Sequence, residues 1–297
     1  MRTLIKYTSF FLTLILFAFY SCDYVSNPYE PKTTGTTTGT TGSAPVVRKI
    51  FVEDYTGHKC DNCPRAARTA HDLKTQYYQD NMVIVSIHAG SFAYTTPLAT
   101  GEQFPTDMRC ATGNAYYSNT DFSVGFNPFF MVNRKDVPTA NNYVSESALS
   151  SSFAAANSLA PDFKLEISNN YTSATRNLNT KVKVTALNAL SGTYKLVILL
   201  TEDSVIAEQL DKYVTPNYVP NYVHRDVLRG AINSDWGSQV FSSVITVNAM
   251  DSVIVPSFPI SSAYNENHCA VVAYIYDANS ASPRYYEVMQ TEEVKIK

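Results

Sequence analysis

The sequence predicts an α/β domain built around a parallel strand pair, followed by an all-β sandwich domain. Three observations lead there. A strand-like run, a tight turn and a helix-like run precede a second apolar strand between residues 46 and 90, the order of a βαβ unit with a right-handed crossover. From Phe163 onward the apolar period changes to two, in short segments parted by Asn, Ser, Gly and Asp, as in a β-sandwich. The 297 residues, 45% of them hydrophobic, are enough to bury cores in two domains.

Two N-terminal segments precede the folded part. Arg2 and Lys6 stand before an apolar run from Phe10 to Tyr20, broken only by Thr13 and closed by Ser21 and Cys22, which reads as an export signal over residues 1–21. The run is shorter than the roughly 20 residues that span a bilayer, so a membrane-crossing helix is not expected. A cysteine directly after the apolar core and a small residue resembles the lipobox of bacterial lipoproteins, which implies acylation of Cys22. Phe19 and Tyr20 depart from the usual Leu and small residue, and an ordinary cleaved signal stands beside that reading. Residues 22–45 then form the anchor and a Thr- and Gly-rich tether, "SNPYEPKTTGTTTGTTGSAP", with few side chains able to enter a core.

The folded part follows, with the α/β domain expected over residues 46–160 and the sandwich over 161–297. "VVRKIFVEDY", Val46 to Tyr55, alternates and is rich in β-branched residues. "CPRAARTAHDLKTQYY" places Ala66, Ala67, Ala70, Leu73 and Tyr77 at helical spacing. "NMVIVSIHAG" is a continuous apolar run, as for a strand covered on both faces. A helix is expected from about Thr106 to Tyr117, a strand over Phe129 to Asn133 directly after Pro128, and a short helix in Ser145 to Pro161. "FKLEISNNY", "YKLVILLTED", "HCAVVAYIYD" and their neighbours supply the short strands of an immunoglobulin-like sandwich.

The chemistry concentrates in "EDYTGHKCDNCPRAA", Glu53 to Ala67. Cys60 and Cys63 form a CxxC pair between strand and helix, open to three readings: redox centre, half a metal site, or staple. A structural zinc site needs four nitrogen or sulfur ligands. Cys110 and Cys269 stand far away along the chain, and His58 and His71 form no recognised ligand set, so no metal and no cofactor is expected. For the redox reading, the backbone N–H groups of the helix start favour a thiolate at Cys60, and the two-residue spacing lets Cys63 resolve a mixed disulfide.

Strand, CxxC, helix, strand and a later proline before a strand resemble a thioredoxin-like domain. The resemblance implies that Pro128 in "GFNPFFMVN" is cis and faces the sulfurs, and that Asn127 pairs with an extended substrate. It implies too that a buried acid six positions before the first cysteine, Asp54, takes the proton of the resolving thiol. A shift of one onto Glu53, and a merely solvated carboxylate, remain alternatives. Asp61 and Asn62 between the cysteines, and Lys59 before them, depart from vigorous oxidoreductases.

The export signal, the tether, "EDYTGHKCDNCP" and the β-rich C-terminal half together resemble the 28-kDa outer-membrane lipoprotein family of Bacteroidetes-type bacteria. That implies a lipid-anchored protein in the outer membrane of a Gram-negative cell envelope, on its periplasmic or surface face. This family supports location and fold more than function. The thioredoxin-like resemblance of the CxxC segment implies thiol-disulfide exchange on exported protein thiols or another envelope partner; the rival is a non-enzymatic binding or adhesion lipoprotein whose CxxC is a structural disulfide.

Other features have two readings each. Cys110 and Cys269 form an interdomain disulfide or stay free, and His88 is catalytic or structural. His224, Arg225, Asp226 and Arg229 are a solvated surface or a binding patch. The formal charge of −3, with scattered Lys and Arg, argues against nucleic acid. No nucleophile elbow, phosphate loop, HExxH or dinucleotide signature occurs.

Overall fold

The order of strand, crossover helix and strand is present as expected. The computed structural model describes residues 45–95, 103–137 and 142–297. The signal at 1–21, Cys22 and all of the tether but Pro45 lie outside the described residues. β1 (Ile50–Thr56) and β2 (Met82–His88) pair in parallel from Ile50↔Met82 to Thr56↔His88, and both are buried along their whole length. α1 (Cys63–Leu73) connects them, with Pro64 in its first turn, where a missing N–H costs nothing. A π-helical turn at Lys74–Tyr78 follows. This turn shifts the helical register. Tyr77, expected in the apolar stripe, is consequently 69% exposed, and Tyr78 packs edge-on against Phe153 instead.

α2 (Ala111–Tyr117) starts later than the sequence suggests. β3 (Phe129–Val132) pairs antiparallel with β1, and α3 (Leu149–Asn157) packs beside it.

The remaining strands are β4 (Phe163–Thr172), β5 (Asn177–Ala186), the two-residue β6 (Leu190–Ser191), β7 (Tyr194–Glu202), β8 (Val205–Leu210), β9 (Tyr218–His224) and β10 (Val227–Ala231). They continue with β11 (Ser238–Phe241), the two-residue β12 (Val244–Ile245), β13 (Met250–Pro259), β14 (Cys269–Asp277) and β15 (Val288–Lys295).

These strands build two facing layers, one of which continues into the sheet of the N-terminal part. The main sheet has the order β15-β14-β7-β10-β2-β1-β3, with β11 added to β7, so it runs across the boundary that the sequence places near Ala160. The join is narrow: β10 meets β2 through the parallel pair Val227↔Ser86, where Ser86 N–H donates to Asp226 O at 2.9 Å. The physical reason is the open edge of β2, a row of backbone groups that must be paired once both faces of the strand are buried.

Alternation along the strands sets the layers. Phe51, Tyr55, Val83, Val85 and Ile87 share one core with Val197, Leu199, Val272 and Tyr274. On the opposite face, Ile50, Val52 and Ile84 pack against Ala66 and Ala70 of α1 and Phe153 of α3. Farther along that same face, Leu196, Ile198, Leu200 and Val271 pack against Leu165, Val182 and Val184, which belong to the second sheet β13-β5-β4. One long sheet is thus covered by helices at one end and by strands at the other. β8 and β9 pair only with each other, as a separate hairpin.

Candidate functional site

β1 ends in a turn that carries Cys60, and Cys63 opens α1; the two form a disulfide. The turn is tightly packed. Gly57 lies so close to the backbone of Phe92 that a Cβ would stand 2.6 Å from its carbonyl carbon, and Lys59 N–H donates to Phe92 O at 3.0 Å. Cys60 is 3% exposed and Cys63 2%.

Asp54 lines a cavity together with Cys63. It is buried, its Oδ1 has no hydrogen-bond partner among the described residues, and burial pushes its carboxyl up to about 7. Asp54, Cys63, Ser86 and His88 line a cavity of about 350 Å3, whose other walls include Gln209, Tyr222 and His224 from the hairpin. Its neighbour Glu53 points to the other face of β1, where Arg134 donates to it through Nε at 2.9 Å and Nη2 at 2.6 Å. Strand alternation thus puts the two acids on opposite faces: Asp54 lines the cavity that Cys63 also lines, and Glu53 belongs to a buried ion pair.

The cavity also explains the histidines. His88 is buried, with neither ring nitrogen bonded among the described residues, and its ring lies 5.2 Å from that of His224, edge to face. His224 Nε2 lies 3.3 Å from Glu208 O. Burial pushes His224 down to about 4 and His88 well below its ordinary value. Both rest neutral. Of the charged run at 224–229, only Arg225 matches the solvated reading; Arg229 pairs with the buried Glu202 at 2.8 Å.

On the other side of the turn, the Asn127–Pro128 peptide is cis, and Pro128 shares a groove of about 560 Å3 with Asn62, the residue preceding Cys63, and with Arg65, Phe126, Tyr143 and Glu146. Asn127 Nδ2 donates to Ala89 O at 3.0 Å. The five residues expected at the site, Asp54, Cys60, Cys63, Asn127 and Pro128, thus come from β1, the start of α1 and the approach to β3. Cys110 and Cys269 are free thiols. Cys110 caps α2, accepting from Gly113 N–H at 3.3 Å, and Cys269 is buried and pushed up to about 11.

A family model described as outer membrane protein Omp28 matches residues 114–297. The chain belongs to this family. The outer membrane expected from the sequence resemblance is the location that the Omp28 family carries. Among the described residues no helix is long and apolar enough to cross a membrane. The Omp28 match begins after the CxxC turn and covers Asn127 and Pro128, β10, and the hairpin that walls the cavity. No curated protein matches the chain. Among solved structures, HBP35 of Porphyromonas gingivalis shares the fold with a TM-score of 0.64 at 10% identity, over 84% of this chain and 76% of that one. A beta-glucosidase from Kluyveromyces marxianus aligns at 13% identity over 47% of this chain and 15% of its own, with a TM-score of 0.22 that carries no structural argument.

The sequence does not flag Gln209 or Arg134. Their partners are distant in the chain, and no local spacing marks them.

Proposed function

We propose that this outer membrane protein carries out thiol-disulfide exchange on exported proteins through a thioredoxin-like module, held at the membrane by a lipid on Cys22. The module comprises residues 46–160 and is completed along its sheet edge by strands of the 161–297 segment. The observation that carries the reading is the lone buried carboxyl of Asp54 in the same cavity as Cys63. A staple needs no proton acceptor, and an unpaired buried acid is costly to keep. An acid pushed up to about 7 is poised to exchange a proton near neutrality.

In the reduced state Cys60 is the thiolate, favoured by the N–H groups at the start of α1. It attacks one sulfur of a partner disulfide; a Cys60–partner bond forms, and the other partner sulfur leaves as a thiolate and takes a proton from solvent. Asp54 then accepts the Cys63 thiol proton. The Cys63 thiolate attacks Cys60 Sγ, the second partner sulfur leaves, and the proton follows it. The partner is reduced to a dithiol while the Cys60–Cys63 disulfide forms. Run backwards, the same steps oxidise a partner dithiol. Pro128 lines the groove in which an extended partner segment lies, and Asn127, next to it in the chain, offers its backbone to that segment.

A second reading, a permanently closed staple in a binding protein, is favoured by one observation: both cysteines are almost wholly buried. Insulin reduction and the Cys60–Cys63 reduction potential separate the two. Turnover with a potential above about −300 mV supports exchange; a lower potential without turnover supports the staple.

A further inference from the structure

We propose that the β8–β9 hairpin is a gate over the CxxC turn and that Gln209 is its positioning residue, so that exchange is confined to partners that lift the hairpin. The inference rests on the thiol-exchange reading above and adds what controls access to that site.

The hairpin lies on the turn through a continuous set of bonds. Leu210 N–H donates to His58 O at 2.8 Å and Lys212 N–H to Asp61 O at 3.2 Å. Between them, Gln209 Nε2 donates to Cys60 O at 2.9 Å and Leu210 O at 2.8 Å, with Gly57 O at 3.5 Å. Both hydrogens of one side-chain amide thus tie the backbone of the first cysteine to the hairpin. Outside, Arg68 of α1 donates to Asp211 at 2.7 Å, and Arg65 lies 4.7 Å over the Tyr213 ring. Five residues of α1 and the turn, His58, Cys60, Asp61, Arg65 and Arg68, are therefore held by the segment Gln209 to Tyr213, and the two cysteines are nearly inaccessible.

The hairpin is also built to move apart from the rest. It is a two-stranded sheet with no strand partner in the main sheet. Among the described residues its apolar footing is limited to Ala207 and Val205 set against Met108 and Val227 and to Tyr218 edge-on to Phe104, its hydroxyl donating to Gln103 O. Segments with few buried apolar contacts open at lower free energy than the core. Its two ends each turn through a left-handed, non-glycine residue, Ser204 at φ +57° and Asp226 at φ +50°. Such residues are where chain direction is changed by rotating few torsions. Opening at these points breaks the Gln209, Leu210, Lys212 and Arg68 bonds, and it keeps the main sheet joined where the rotation falls on the Arg225 side of Asp226, whose carbonyl holds Ser86. Cys60 Sγ then meets a partner, and the bonds to its carbonyl re-form on closure.

The test needs no partner protein. The full chain is reduced with a phosphine, and iodoacetamide labelling of Cys60 is followed by peptide mass. Gln209→Ala and Arg68→Gln are expected to label about tenfold faster than the unaltered chain or more, with Cys269 unlabelled in all three. Equal rates in the unaltered chain and both variants overturn the gate, as does labelling of the unaltered chain as fast as in urea. If a variant unfolds, labelling of Cys269 shows it, and amide exchange of the unaltered protein decides. Leu210 and Lys212 N–H must then exchange faster than those of Val197 and Val272, and equal protection overturns the gate. Faster labelling without any exchange on protein disulfides leaves the gate standing and removes the exchange reading instead.

Discussion

Glu53 and Asp54 are sequence neighbours on β1 whose carboxyl groups leave opposite faces of the main sheet into opposite environments. Glu53 meets Arg134, itself wholly buried between the rings of Tyr116, Phe122 and Tyr274 at 4.6, 4.6 and 4.9 Å from their centroids. Asp54 faces a cavity that Cys63 also lines, and among the described residues its Oδ1 has no hydrogen-bond partner. One acid is structural and the other is available for chemistry, and the strand pleat alone separates them.

Asp54→Asn separates stability from exchange. Burial raises the folded acid to about 7, so its stabilising contribution is complete below the unfolded value near 3.8 and is lost as pH rises through 7. The variant has no such loss. It is expected to gain, relative to the unaltered chain, roughly 2–4 kcal/mol in unfolding free energy between pH 4 and pH 8, read by urea denaturation. The second step of exchange should slow by about a hundredfold at pH 7, measured by decay of a mixed disulfide.

Arg134→Met alone leaves Glu53 buried without its cation. A loss of about 3–5 kcal/mol is expected in denaturant unfolding. The double variant Glu53→Gln with Arg134→Met is expected to recover part of that loss, because the uncompensated charge is gone. A single variant as stable as the unaltered chain contradicts the ion-pair account.

His224 titrates in the opposite sense. Its folded value is pushed down to about 4 by burial, so its contribution is present above the unfolded value near 6.5 and is lost as pH falls towards 4. His224→Gln should therefore flatten the stability profile between pH 4.5 and 6.5 by about 1.4 kcal/mol per pH unit relative to the unaltered chain. Urea midpoints at four or five pH values measure it.

Phe126 is 49% exposed and forms an aromatic ledge with Phe129 and Tyr143, with ring centroids at 5.4, 5.0 and 4.9 Å, beside Pro128 in the groove. Phe126→Ser is expected to lower the yield of trapped mixed disulfides several-fold while changing stability by less than about 1 kcal/mol. Trapping yields unaffected by the change would exclude the ledge from partner contact.

The local part of this molecule is written in short stretches. Periodicity places the CxxC between strand and helix, and the resemblance to a thioredoxin-like domain then picks out the proline before β3 and the acid six residues before Cys60. Alternation also tells that Glu53 and Asp54 face opposite ways, although not which face is the cavity. The gate is different in kind: Gln209 and Cys60 are 149 positions apart, and nothing in "VIAEQL" marks a residue destined for a carbonyl in the N-terminal half. The shared sheet is hidden for the same reason, since one parallel pair at Val227 and Ser86 carries it. Short alternating strands do not say whether they close on themselves or extend a neighbour.

Covalent trapping tests the central claim most directly. Full chains carrying Cys63→Ser or Cys60→Ser are expressed in the native envelope, thiols are quenched with acid, and adducts are resolved without reductant. The exchange account predicts reducible adducts on Cys60 in the Cys63→Ser chain and none in the Cys60→Ser chain. No adducts in either chain, or equal adducts in both, would contradict it.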